Sequence, residues 1–153
     1  MLTVVDQFTK ECLNITGDFS INGQRVVRTL EWLMLTQGKP GSITLDNGPE
    51  FAGIALDQWA YKNAVKLDFI RPGKPVENAY IESFNGKFRH ECLNQHYFKN
   101  LGEARSMIEN WRMRYNDFRP HQSLEGLTPT EFSKQWKVKN NNPSSEIFYF
   151  QTV

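Results

Sequence analysis

Cysteine is scarce in this chain. Cys12 and Cys92 are the only two, neither sits in a CxxC, and none of His90, His96 and His121 stands at a metal-ligand spacing from them. That argues against a zinc-ribbon or zinc-finger module and leaves two reduced thiols packed as small hydrophobes, which suits a cytoplasm. Long apolar runs are missing, so no segment reads as a membrane-spanning helix, and no basic segment followed by an apolar core suggests a secretory signal. Internal repeats are absent. A strong charge of one sign is absent too: the net charge is +1, which does not by itself announce a polyanionic partner. Its distribution says more. Residues 1–60 carry 4 Lys and Arg against 7 Asp and Glu, whereas residues 61–153 carry 14 against 10. The basic excess of the second half is a weak pointer to a polyanion, because solvated helix faces alone would also produce it.

What is present describes one globular domain of ordinary size. The chain has 153 residues, 39% of them hydrophobic and 23% charged, enough for a real core. Residues 1–8 (MLTVVDQF) and 10–15 (KECLNI) read as two strands joined by a short hairpin. From Gly23 the period becomes helical, with Val26, Val27, Leu30, Leu33 and Met34 on one stripe that ends at Gly38-Lys39-Pro40. A strand over 42–45, a helix near 52–63 and a strand over 65–70 follow. This order predicts an α/β fold with a mixed sheet flanked by helices. Arg71-Pro72-Gly73-Lys74-Pro75 is a breaker-rich loop carrying two cations. Over 78–93, Ile81, Phe84, Phe88 and Cys92 step by three, four and four, the spacing of one buried helix face, with Glu82 at its edge and Asn78, Asn85 and Arg89 on the polar side. A second long helix is expected over 101–118, and Thr128-Pro129-Thr130-Glu131 reads as the capped start of a short last helix. The chemistry-bearing part is expected to span 1–133. Residues 134–153, rich in Asn, Pro and Ser and then Ile147-Phe148-Tyr149-Phe150, read as a tail able to add a short strand.

The stretch of most chemical interest is Ile43-Thr44-Leu45-Asp46-Asn47-Gly48-Pro49-Glu50-Phe51. It delivers a carboxylate from a strand end into a tight turn, where α/β folds place ligands. A second carboxylate, Glu82, rides a helix after a gap of 35 residues. Strand-end Asp and helix-borne Glu can converge on a hard divalent cation, Mg²⁺ or Mn²⁺, which takes oxygen ligands from one or two carboxylates and from phosphate. Such ions serve phosphodiester chemistry by activating an attacking oxygen and stabilising a leaving one. Taken alone, however, such a pair is more often a turn residue and a solvated helix residue.

Three blocks shift that balance. DNGPEF, RPGKPVENAYIESFNGKFRHECLN and YNDFRPHQSLEGLTPTEF occur in this order, with the 35-residue gap between the two acids. Over residues 2–132 the chain resembles the catalytic region of bacterial insertion-sequence transposases, the second-frame products that share the DDE motif and the ribonuclease-H-like fold with retroviral integrases. The resemblance implies a DNA transposition and integration activity with Mg²⁺ or Mn²⁺ as cofactor, DNA (element ends and target) as partner, and self-association or association with full-length transposase. A bacterial cytoplasmic location, nucleoid-associated when on DNA, follows from the same likeness, with no membrane role. Position by position, Asp46 matches the family's second catalytic Asp and Glu82 its catalytic Glu, both metal ligands. Lys87 and Arg89 match positions that hold DNA ends, although ordinary helix-surface cations fit them nearly as well. Arg71 and Lys74 are candidate phosphate contacts, and Asn78, one turn before Glu82, is a candidate DNA contact.

The family's first Asp lies on the central strand that opens a three-strand meander. Residues 2–15 resemble only the last two strands of that meander, so Asp6 matches the second strand rather than the catalytic acid. The first strand and its acid are therefore expected to precede Met1. Two consequences are expected: cutting and joining lost or crippled, and unpaired sheet edges unless another strand replaces the central one. The alternative is a non-catalytic fragment that binds DNA or joins a transposase.

Overall fold

A computed structural model of the chain describes residues 1–71, 75–140 and 147–152. Strands β1 (Leu2–Asp6) and β2 (Cys12–Thr16) form the expected hairpin. They are followed by α1 (Gly23–Gln37), β3 (Ser42–Leu45), α2 (Ile54–Asn63), β4 (Lys66–Phe69), α3 (Pro75–Phe88), a π-helical turn (Arg89–Leu93), α4 (Leu101–Phe118), a 3₁₀ turn (Gln122–Leu124), α5 (Pro129–Asn140) and β5 (Ile147–Thr152). The sheet order is β2-β1-β5-β3-β4. β3 and β4 pair in parallel, β1 and β2 antiparallel. The last strand lies at the centre, antiparallel to β1 and parallel to β3. β5 thus occupies the place between β1 and β3 and pairs an edge of each. α5 extends from Pro129 to Asn140 and so runs past residue 133.

Two apolar cores sandwich the sheet. Leu2, Val4, Leu13, Ile43 and Leu45 face Val26, Leu30 and Leu33 of α1 and Leu56, Trp59 and Ala60 of α2. Val5, Cys12 and Ile15 face Ile81, Phe84 and Phe88 of α3 and Ile108 and Tyr115 of α4. A register shift opposite Val4 and Val5 leaves Leu13 as an extra residue in β2. The bulge lets Cys12 and Ile15, three apart, share one face of the sheet. The helix stripes follow the spacing read from sequence because Cβ atoms three and four apart project on one side. Asn22 caps α1 by accepting the Arg25 N–H at 2.9 Å, and Asn100 caps α4 by accepting that of Glu103 at 2.9 Å. The capping box of α5 forms as expected: Thr128 Oγ1 accepts the Glu131 N–H at 3.2 Å, and Glu131 Oε2 accepts that of Thr128 at 2.9 Å.

The edge strand β2 is covered by α4. Buried Asn116 accepts the Cys12 N–H at 2.8 Å and donates to the Cys12 carbonyl at 2.9 Å, and Arg112 Nη1 donates to the same carbonyl at 2.8 Å. Edge backbone is thereby satisfied by side chains instead of a further strand. Replacing Asn116 by alanine leaves the Cys12 N–H buried without this partner. We expect a loss of about 1–3 kcal/mol in urea unfolding, the cost of an unmet buried polar group; an unchanged midpoint would show that water replaces the amide.

Candidate active site

β3 ends at Leu45, and alternation along it sets the direction of the next residue. Ile43 and Leu45 are buried against α1 and α2. Ser42, Thr44 and, by continuation, Asp46 therefore belong to the face covered by α3 and α4. Asp46 is half-buried, and its Oδ1 accepts the Gly48 N–H at 3.0 Å, closing a turn that continues with Phe51 N–H donating to the Gly48 carbonyl at 3.0 Å. Asn47 ties this turn to the neighbouring strand end, donating from Nδ2 to the Ile70 carbonyl at 2.9 Å, while the Ile70 N–H reaches the Leu45 carbonyl at 2.9 Å. Phe51, fully buried, anchors the far side of the loop in the core. The helix expected near 52–63 begins at Ile54. The ordinary-turn reading and the functional reading of Asp46 are compatible, since a carboxylate that accepts one amide retains further lone pairs.

α3 is held across the same end of the sheet. Leu45, Phe150 and Val4 share one row of the register, so the next row contains Asp46, Gln151 and Thr3. Thr3 Oγ1 donates to Asn85 Oδ1 at 3.0 Å, and both residues are buried. Asn85 was placed on the polar side of its helix by sequence; the structure corrects that placement, because the polar partner lies in the sheet rather than in solvent. Glu82, one turn earlier on α3, is exposed beside the buried stripe of Ile81, Phe84 and Phe88. Asp6 lies elsewhere. It pairs with Phe148, three rows from Asp46 and two strands away, roughly 10 Å along the strands and roughly 10 Å across them. Its Oδ1 accepts the N–H groups of Phe8 at 2.8 Å and Thr9 at 3.3 Å, and the residue is 2% exposed, which marks a turn-forming acid at the opposite sheet edge.

Glu50 escaped the sequence reading. A Cβ at Gly48 would stand 2.6 Å from Glu50 Oε1 and 3.0 Å from Asp46 Oδ1, so the loop folds both carboxylates around a residue without a side chain. The only sequence signal was its place within DNGPEF. Among the described residues no group of three or more His, Cys, Asp and Glu is arranged to hold a metal ion. The donors present are nonetheless of the right kind for Mg²⁺ or Mn²⁺: carboxylate oxygens at a sheet edge, in the number such ions commonly take from protein when phosphate supplies the rest.

Of the five predicted DNA contacts, Arg71, Lys87 and Arg89 have described side chains, and all three are exposed. Arg71 is exposed, one residue beyond Ile70 and so beside the Asp46 turn. Lys74 lies outside the described residues, and Asn78 lies within the helical backbone of α3 with its side chain likewise outside them. Lys87 and Arg89 are exposed at the end of α3 and the start of the π-helical turn. Lys87 contributes to a positive neighbourhood with Arg119 and Lys10: burial first, then these three charges, hold the His121 imidazole below its ordinary pKa. Nearby, burial alone would raise the Glu91 carboxyl, but hydrogen bonds from Arg119 at 2.6 Å and Trp111 at 3.1 Å, with the charges of Arg119 and Lys87, bring it below the usual range.

Comparison with known proteins is consistent with this geometry. Two family models, each described as an integrase core domain, match residues 1–75 and 63–129. The 31.7 kDa protein of insertion element IS407 from Burkholderia multivorans is 50% identical over 144 residues, covering 94% of this chain and 52% of the relative. The 39.2 kDa protein of insertion element IS476 from Xanthomonas euvesicatoria is 45% identical over 141 residues, covering 92% and 41%. The chain thus spans about half the length of these relatives or less. Among solved structures, the catalytic core domain of BIV integrase superposes with a TM-score of 0.71 at 12% identity, covering 92% of this chain and 90% of that one. The HTLV-2 integrase catalytic core domain in complex with magnesium gives 0.62 at 18% identity, covering 86% and 82%. These two show the ribonuclease-H-like fold. Fold and sequence kinship agree, and this chain belongs to the integrase core family of insertion-sequence transposases.

Proposed function

We propose that this chain is catalytic-core material of a DNA transposase, with Asp46 and Glu82 as carboxylate ligands of a divalent metal and the cations around them as phosphate contacts. The observation that carries the reading is the shared row: the strand-end acid Asp46 stands level with Thr3, to which the Glu82 helix is pinned through Asn85. A divalent ion held there would supply Lewis-acid activation of water or a 3′-hydroxyl and neutralise charge at the phosphodiester. The chain's own contribution is positional. Gly48 N–H orients Asp46, Asn47 locks the turn to β4, and Phe51 anchors the loop. Lys87, Arg89, Arg71 and Lys74 would hold backbone phosphates, and Asn78 would touch DNA beside Glu82, without reading bases. The reaction class is hydrolysis at element ends followed by attack of the freed 3′-hydroxyl on target DNA.

We further propose that turnover by this chain is impaired, because its metal site draws on two family carboxylates and the central strand, β5, brings no acid of its own: its sequence is IFYFQT. That strand is the observation favouring the second reading, a fragment that binds DNA or joins a transposase without cutting. Both readings predict DNA affinity, and self-association belongs with them as an inference from the family.

Two outcomes test the proposal. In calorimetric titration with Mn²⁺, Asp46→Asn and Glu82→Gln should each weaken binding about tenfold or more, whereas Asp6→Asn should leave it unchanged and cost stability through the lost turn bonds. Metal binding that depends on Asp6 and not on Asp46 would reverse the assignment. In fluorescence anisotropy with duplex DNA, Lys87→Ala and Arg89→Ala should weaken binding uniformly across sequences, and each should reduce the salt slope by about 1. Unchanged slopes would make both residues plain surface cations.

A further inference from the structure

The two outer strands of the sheet are finished differently. β2 is capped by α4, whose Asn116 and Arg112 take the Cys12 backbone. β4 is the other outer strand, and among the described residues no side chain bonds the backbone of Leu67 or Phe69. In a parallel ladder one residue turns its N–H and C=O to one flank, and the next turns both to the other. The Lys66 N–H donates to the Gly41 carbonyl at 3.1 Å and the Ile70 N–H to the Leu45 carbonyl at 2.9 Å, so Lys66, Asp68 and Ile70 engage β3. Leu67 and Phe69 therefore present their backbone groups outward. Edge strands are usually blunted by charge, lysine above all. Here the lysine comes with its complement: Lys66 and Asp68, side chains 72% and 42% exposed, share one face with Nζ and Oδ1 2.7 Å apart. Residues 65–69 read VKLDF, apolar at the centre and both ends, with opposite charges between.

We propose that the free edge of β4 is where this chain pairs with a second copy of itself, antiparallel and two-fold about Leu67. The pairing rests on the self-association proposed above and gives it a surface. Leu67 exchanges N–H···O bonds with the partner's Leu67, and Lys66 stands opposite the partner's Asp68, twice over by symmetry. Phe69 donates its N–H to the carbonyl of the partner's Val65, because the Val65 N–H is held by the Ala60 carbonyl at 2.9 Å. Residues directly opposite bring their Cβ atoms within about 5.5 Å, where opposite charges attract and like charges repel. Neighbouring registers lose this match. An axis at Asp68 sets two carboxylates against each other and offers N–H groups already engaged with β3; an axis at Phe69 places Asp68 opposite the partner's Ile70. The pairing also sets Phe69, 41% exposed, against an apolar neighbour and joins two five-stranded sheets into one. Its axis is perpendicular to the sheet, so both Asp46 turns come to the same face. One short strand makes a small interface, and the dimer is accordingly weak and concentration-dependent.

The test is sedimentation equilibrium of the full chain at low ionic strength and up to millimolar concentration. It compares the native sequence, Lys66→Asp, Asp68→Lys, the Lys66→Asp/Asp68→Lys double variant, and an equimolar mixture of the two single variants. Melts followed by circular dichroism verify that each variant folds. The native chain should dimerise as concentration rises. Each single variant sets like charges opposite each other at both symmetric positions and should weaken the dimer about tenfold or more. The double variant swaps the charges and should restore it, and the mixture should form the mixed dimer in which each Asp again faces a Lys. A native dimer whose Kd is unmoved by either single variant would overturn this surface and leave self-association standing. Losses that neither the double variant nor the mixture restores would overturn the register. A native chain that stays monomeric throughout would overturn both the surface and the self-association it rests on.

Discussion

Two rows of backbone hydrogen bonds, one on each flank of β5, hold this molecule together. β1 pairs with β2 and β3 with β4, but the two pairs meet only through the last strand. Both helical layers presuppose that junction. Leu2 and Val4 share a core with Ile43 and Leu45 although they belong to opposite halves of the sheet. An open centre would separate those halves by about two strand spacings, roughly 10 Å, and no side chain bridges such a gap at normal packing density. Pairing of β5 with strands about a hundred residues or more earlier is the kind of non-local closure that slows folding.

The candidate site inherits its geometry from the same junction. Asp46 is level with Thr3 only because β5 spaces β1 from β3 in register, and α3 crosses that level because buried Asn85 takes the Thr3 hydroxyl. Around this frame the Asp46 loop is fixed at three points: the Gly48 amide, the Ile70 carbonyl and the buried Phe51 ring. Gly48 matters for space rather than for backbone freedom, since a side chain there would strike the Glu50 and Asp46 carboxylates. Arg71, Lys87 and Arg89 are exposed and enter neither core.

Local periodicity made most of the elements legible. The stripe of Ile81, Phe84 and Phe88, the stripe of α1 and the capping box at Thr128 are all short-range signals, and each element forms where its signal lies. What escaped was non-local. The central place of Ile147-Phe148-Tyr149-Phe150 depends on partners more than a hundred residues away in sequence, and composition around it argued for a tail. Asn85 was misplaced for the same reason, because a polar residue at a helix edge declares nothing about a threonine brought to it by the sheet. The acids Asp46 and Glu82 were visible as a spacing and as family blocks, whereas Glu50 required the folded loop.

The central claim is that the metal-binding edge is the one where β3 ends and α3 crosses, and paramagnetic broadening by Mn²⁺ reads this directly. In a two-dimensional amide spectrum, substoichiometric Mn²⁺ should erase the signals of Asn47, Gly48, Thr3 and the residues flanking Glu82 first, leaving Phe8 and Thr9 beside Asp6 sharp. Broadening centred on Phe8 and Thr9, with Gly48 and Thr3 untouched, would contradict the account.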